Sequence, residues 1–272
     1  MTENIFTRGG VGGGAGMLVH EATKNFPKGR RFFEAGPLED APAQWIYRIY
    51  PQLRADSGYV LPRKARRDLA TLSGLDTLAR RRSIRAYAPG PLAVDVLAAF
   101  LTLSYPAEVG EIAYAPAPRP HQQLGCWNGH VTACRLILLV RNVQGIASGA
   151  YVYDERRHTL LCVRAASGAE LDALLEASCF QAEFRGAPVL ALQVGSVADS
   201  VARYGERGYR YMLFEDGVQI QRMYLAASSL GLAACITGSI VQRDFEAWLG
   251  LDGYWGSVLN AFALGEMPSP KE

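Results

Sequence analysis

The sequence predicts an α+β fold in which helices are interleaved with strands and hairpins. Three observations predict it. Short apolar runs such as "LILLV" (136–140) and "VLALQV" (189–194) have the length and composition of strands buried on both faces. "GAYVYDERRHTLLCVR" (149–164) alternates around a charged turn, as a hairpin does. Helix-period stretches separate these segments, but without the strict strand–helix–strand alternation of a doubly wound sheet.

In chain order, residues 1–16 form a flexible Gly-rich tail without the apolar centre of a signal peptide. Its "GGVGGGAG" follows no strand and so is not read as a phosphate loop. Residues 17–75 mix short apolar pieces with Pro, Gly and charge, which predicts an extension wrapping a core; the core domain is residues 76–272. "LAVDVLAAFLTLSY" (92–105) places Leu92, Val96, Leu97, Phe100 and Leu101 on one helical face behind Pro89 and Pro91. Residues 106–130, rich in Pro, Gly and polar groups, predict a long functional loop. "GAELDALLEAS" and "RDFEAWLGL" read as short helices, and "SVLNAFALGEM" as a last strand. The longest helical pattern, Tyr204 to Leu232, repeats Tyr209, Leu213, Gly217, Ile220, Tyr224 and Ala227 along one face. Its small residues, Gly217 and Ala226–Ser229, permit close approach of another backbone.

With 272 residues and 49% hydrophobic content, the chain can build one large core. Twenty-eight basic residues against 26 acidic ones argue against a nucleic-acid-coating protein. No apolar run reaches the length of a membrane span. Five widely spaced cysteines without CxxC, and four histidines without paired spacing, indicate free thiols in a cytosolic protein and no metal.

Against that balanced charge, "RRRSIRAY" (80–87) crowds four arginines and a serine into eight residues ahead of a helix. Such a cluster is either a solvated helix end or an anion site, because guanidinium forks and the free N–H groups of a helix start both suit phosphate. The balanced charge elsewhere makes the crowding local and favours a small anion.

"RRRSIRAY" followed by Pro and a helix resembles the flavin-phosphate motif that opens the FMN-dependent nitroreductase fold. "RYGERGYRYMLFEDG" with "LAASSLGL" resembles the central helix of its SagB-type (McbC-like) branch, the azoline dehydrogenases of thiazole/oxazole-modified peptide pathways. "LVHEATKNFP", "YRIYPQLRADSGYVLPR" and "LLVRNVQGIASGAYVYDERRHTL" are similar to matching segments of that branch, and the likeness covers about residues 17 to 266. It implies a mixed, mainly antiparallel sheet flanked by helices, with FMN as cofactor. Arg81, Arg82, Ser83 and Arg85 are implied for the ribityl phosphate and pyrimidine edge. A backbone N–H at Thr237 and Gly238 in "CITGS" is implied for flavin N5. A cation near the flavin also stabilises the charge that develops on hydride transfer.

The implied reaction converts thiazoline or oxazoline rings of a modified peptide, or of a carrier-bound intermediate, to azoles. The resemblance also implies a homodimer with shared FMN sites and a cyclase partner. The branch carries a Lys-Tyr pair where this chain has Arg203-Tyr204. Arginine is a poor base, which leaves Tyr204 as the acid/base candidate and Arg203 as a charge stabiliser. "CWNGH" replaces a Pro-Ser-Gly-Gly element of the branch, keeping Gly129 and offering Asn128 for polar contacts. Two other readings stand beside this one. They are a general NAD(P)H-dependent nitro or quinone reductase and a catalytically degenerate scaffold of a peptide-modifying complex.

Overall fold

Among the described residues, seven strands form one sheet, lying side by side in the chain order first, fourth, third, second, fifth, seventh, sixth. The computed structural model describes residues 18–20, 45–54, 57–63, 74–105, 134–155 and 157–269. The strands are β1 (Tyr59–Val60), β2 (Cys134–Val140), β3 (Gly149–Asp154), β4 (Thr159–Ala165), β5 (Val189–Gly195), β6 (Leu232–Thr237) and β7 (Ser257–Glu266). Every named pairing is antiparallel, in keeping with the mainly antiparallel sheet expected from sequence. The parallel contact is confined to an isolated bridge, Leu92 with Val143.

The apolar runs do become the central strands, and every residue of β2 and β5 is buried. Each Leu, Val or Ile among them contributes roughly 1.5–3 kcal/mol on burial. One face of the sheet is covered by α1 (Trp45–Ile49), α4 (Gly168–Ser178) and α7 (Gln242–Leu249), with Trp45, Leu175 and Phe245 packed on Ile137, Leu190 and Ala261. α4 starts with a capping box in which Ser167 and Glu170 satisfy each other's backbone N–H. The other face is covered by α3 (Val94–Ser104) and α6 (Arg207–Ser229), with Leu97, Phe100 and Met223 packed on Leu136, Leu138 and Phe262. Leu92 precedes α3 instead of lying on its face, because the extended backbone that Pro89 and Pro91 impose continues as far as the bridge to Val143.

The long helical pattern is trimmed at both ends, and Leu232 opens β6 instead. α5 (Val197–Tyr204) stops at Gly205, which takes φ 62, and α6 starts two residues later. Gly208 lets the two helices meet, since a Cβ there would lie 1.8 Å from the Ser200 carbonyl oxygen. The face of α6 against the sheet also departs from expectation. It buries Met212, Glu215, Asp216, Gln219, Met223 and Ala227, whereas Leu213, Phe214 and Val218 are exposed. Apolar periodicity misses the first half of this face because three polar side chains occupy it, while Tyr224 and Ala227 of the expected stripe are buried. Cys134 N–H donates to Glu215, Asn260 donates to Asp216, and Gln219 donates to the Ser104 carbonyl.

Candidate active site

The arginine motif follows a helix rather than opening one. α2 (Gly74–Arg80) ends at Arg80, and residues 81–88 then run extended beside the β6 edge of the sheet. Ile84 N–H donates to Ala234 of β6 (2.9 Å), and Ala88 N–H to Glu266 of β7 (2.9 Å). The N–H groups of a helix start therefore add nothing to an anion site here. Arg82 turns back on α2, donating from Nη1 to the carbonyls of Ala79 (3.0 Å) and Arg81 (3.0 Å), where the helix end leaves acceptors unmatched. Ser83 and Arg85 are exposed, and Arg81 is half-buried. Among the described residues, Arg85 forms no hydrogen bond or ion pair, and it is exposed.

Tyr224 of α6 ties this motif to the end of β6. Its Oη lies 2.9 Å from Ser83 Oγ and accepts from Ile236 N–H at 3.0 Å, and the Arg81 guanidinium stands over its ring at 5.0 Å. One residue beyond Ile236, Thr237 Oγ1 donates to Gln181 (2.7 Å) and accepts from Ser239 N–H (2.9 Å). Gly238 is exposed, and a Cβ added there would meet nothing within 4 Å among the described residues. Behind the motif, the Tyr87 hydroxyl is buried without a hydrogen-bond partner among the described residues. Burial pushes its pKa up, and Arg85 pulls in the opposite direction. Arg81, Ser83, Arg85, Thr237 and Gly238 thus share one region of the fold.

Arg203 and Tyr204 lie elsewhere, in the last turn of α5. The Tyr204 ring packs edge-on against Tyr211, with centroids 5.1 Å apart. Tyr211 and Tyr224 stand roughly 20 Å apart along α6 at 1.5 Å of rise per residue. Within one chain the acid/base candidate is therefore remote from the arginine motif. Beside it, Val197, Val201, Tyr209 and Tyr254 line an apolar cavity of about 390 Å³. Asn128 and Gly129 fall outside the described residues. The sequence reading passes over Tyr224, Tyr87 and Gln181 as site residues; Tyr224 appears there only as one member of a packing stripe.

The sequence pattern of the nitroreductase family matches residues 78–266, from α2 through the last residue of β7. The chain belongs to the nitroreductase family. A nitroreductase-named protein of Methanocaldococcus jannaschii is 27% identical over 187 residues, 69% of this chain and 89% of that one. The trifolitoxin-processing protein TfxB of Rhizobium leguminosarum bv. trifolii is 34% identical over 125 residues, which are 45% of this chain and 33% of TfxB. This chain thus spans about a third of that relative's length. A chain of the Escherichia coli microcin synthetase McbBCD complex shares the fold at a TM-score of 0.58 and 18% identity, covering 88% of this chain and 85% of its own. As a nitroreductase-family oxidoreductase, the protein belongs to a flavin-binding family. Its residues fit such a group: Arg81 and the exposed Arg85 beside exposed Ser83, together with an exposed glycine turn. Among the described residues, no cluster suited to a metal and no helix long and apolar enough to cross a membrane occurs.

Proposed function

We propose that this nitroreductase is an FMN-dependent dehydrogenase that oxidises thiazoline or oxazoline rings, in a modified peptide or a carrier-bound intermediate, to azoles. The observation that carries the FMN reading is the Arg81–Ser83–Tyr224 cluster bonded through Ile236 to the Thr237–Gly238 turn. The peptide substrate is supported by the likeness to a trifolitoxin-processing protein. Arg81, Ser83 and Arg85 hold the phosphate, and the backbone at Thr237–Gly238 faces the ring system. Bound FMN supplies the two-electron acceptor for the hydride that leaves the azoline. Tyr204, acting as its phenolate, receives the proton lost from ring carbon and becomes a phenol, and Arg203 serves as the charge stabiliser.

The separation of Tyr204 from Tyr224 fits a site shared by two chains. Leu213 (41% exposed), Phe214 (46%) and Val218 (40%) form an apolar stripe near the middle of α6. Antiparallel pairing of two α6 helices around Gly217 brings the Tyr204 end of one beside the Tyr224 end of the other. A homodimer with shared sites, acting with a cyclase on its peptide, is the assembly we propose. The test is direct: the purified dimer must release FMN on denaturation and remove two hydrogens per azoline ring, read by mass spectrometry. FMN-loaded protein that leaves azolines untouched but reduces nitro compounds with NADPH selects the general-reductase reading, which the Methanocaldococcus relative favours.

A further inference from the structure

We infer that Tyr224 is a positioning residue that makes Ser83 a hydrogen-bond donor toward phosphate, and thereby sets a preference for FMN over unphosphorylated riboflavin. The inference rests on the FMN reading above and adds to it a residue and a selectivity.

Tyr224 is 7% exposed, and its ring is fixed edge-on against Phe262 with centroids 5.1 Å apart. A phenol has a single proton. Ile236 N–H can only donate, so it occupies an acceptor site on Tyr224 Oη at 3.0 Å. The tyrosine proton then has two acceptors in reach, Ser83 Oγ at 2.9 Å and Cys235 Sγ at 3.8 Å. The nearer oxygen is the stronger acceptor. Cys235 sends its own proton to the Ile236 carbonyl at 3.2 Å.

Ser83 Oγ also faces Arg81 Nη1, another pure donor, at 3.5 Å. With two donors aimed at its oxygen, the serine proton is left to point outward, where Ser83 is exposed. A phosphate dianion accepts and never donates, so its arrival fixes the same direction. The series runs from Ile236 N–H to Tyr224, from Tyr224 to Ser83, and from Ser83 to the anion, each bond polarising the next. The Arg81 guanidinium over the Tyr224 ring adds charge at the same spot.

The test measures the affinities of flavin-stripped protein for FMN and for riboflavin by flavin fluorescence, in wild type, Tyr224→Phe, Ser83→Ala and the double variant. The FMN-over-riboflavin preference should fall about tenfold in Tyr224→Phe, the effect of losing one hydrogen bond to a charged group. It should fall no further in the double variant, because the two residues act in series. An unchanged preference in Tyr224→Phe overturns the inference even if both affinities drop, since an equal drop marks a packing role near Ile236. Additive losses in the double variant overturn it too. Should Tyr224→Phe not fold, 3-fluorotyrosine at 224, a stronger donor of the same shape, must raise the preference, and a lowered or unchanged preference rejects the idea. Arg81→Ala separates the two readings. If it leaves the preference intact, FMN binding at this motif fails altogether. If it lowers the preference while Tyr224→Phe does not, the role of Tyr224 alone fails.

Discussion

Replacing Asp216 by Asn should stabilise the protein, and increasingly so as pH rises. Asp216 sits on the inward face of α6, 8% exposed, and accepts from Asn260 Nδ2 at 2.8 Å on both carboxylate oxygens. Burial raises its pKa from 3.8 to about 6, and the Asn260 bonds offset only part of that. A raised carboxyl pKa means that the folded chain prefers the protonated form. The associated stability is fully present below the unfolded value near 3.8 and is lost as pH rises through about 6. A shift of that size is worth roughly 3 kcal/mol by about pH 8, at 1.36 kcal/mol per unit. Asparagine removes the charge and can pair reciprocally with Asn260, whose Oδ1 lacks a partner. Urea unfolding at fixed protein concentration, near pH 4 and near pH 8, checks the sign. The variant's advantage should be small in acid and grow by as much as about 3 kcal/mol in base. An advantage that does not vary with pH would refute the reasoning, because Asp216 would then not be the titrating group.

Three further outcomes are expected. Tyr204→Phe should keep fold and flavin but slow azoline oxidation by roughly 10²–10⁴-fold, while full activity would leave Tyr204 as a packing residue against Tyr211. Phe214→Glu, in the exposed stripe of α6, should yield monomers in sedimentation with reduced flavin content; an intact dimer would place the interface elsewhere. Gly208→Ala should destabilise the junction of α5 and α6 by roughly 1–3 kcal/mol in thermal or urea unfolding, since its Cβ meets backbone that cannot move aside cheaply.

The local pattern of residues determined β2, β3, β4, β5 and β7, whereas β1 and β6 were not read as strands. "CRLILLV" and "VLALQVG" are apolar apart from Arg135 and Gln193, which suits a strand covered on both faces, and the β3–β4 hairpin is legible from alternation around its charged turn. The arginine motif was likewise visible, because charge crowding and a family resemblance are properties of a short window. What the window could not hold was its setting. Whether Arg80 ends a helix or Arg81 opens one depends on where residues 84–88 bond, and their partners lie on β6 and β7. The first half of the inward stripe of α6 was misread because Glu215, Asp216 and Gln219 are polar by composition and become buried only through partners on α3, β2 and β7. Tyr224 meets Ser83 across 141 residues of chain. Periodicity reports the average environment of a side chain, whereas a hydrogen bond between distant segments depends on how the whole sheet and its helices pack. That packing alone decided which hydroxyl stands beside the arginines.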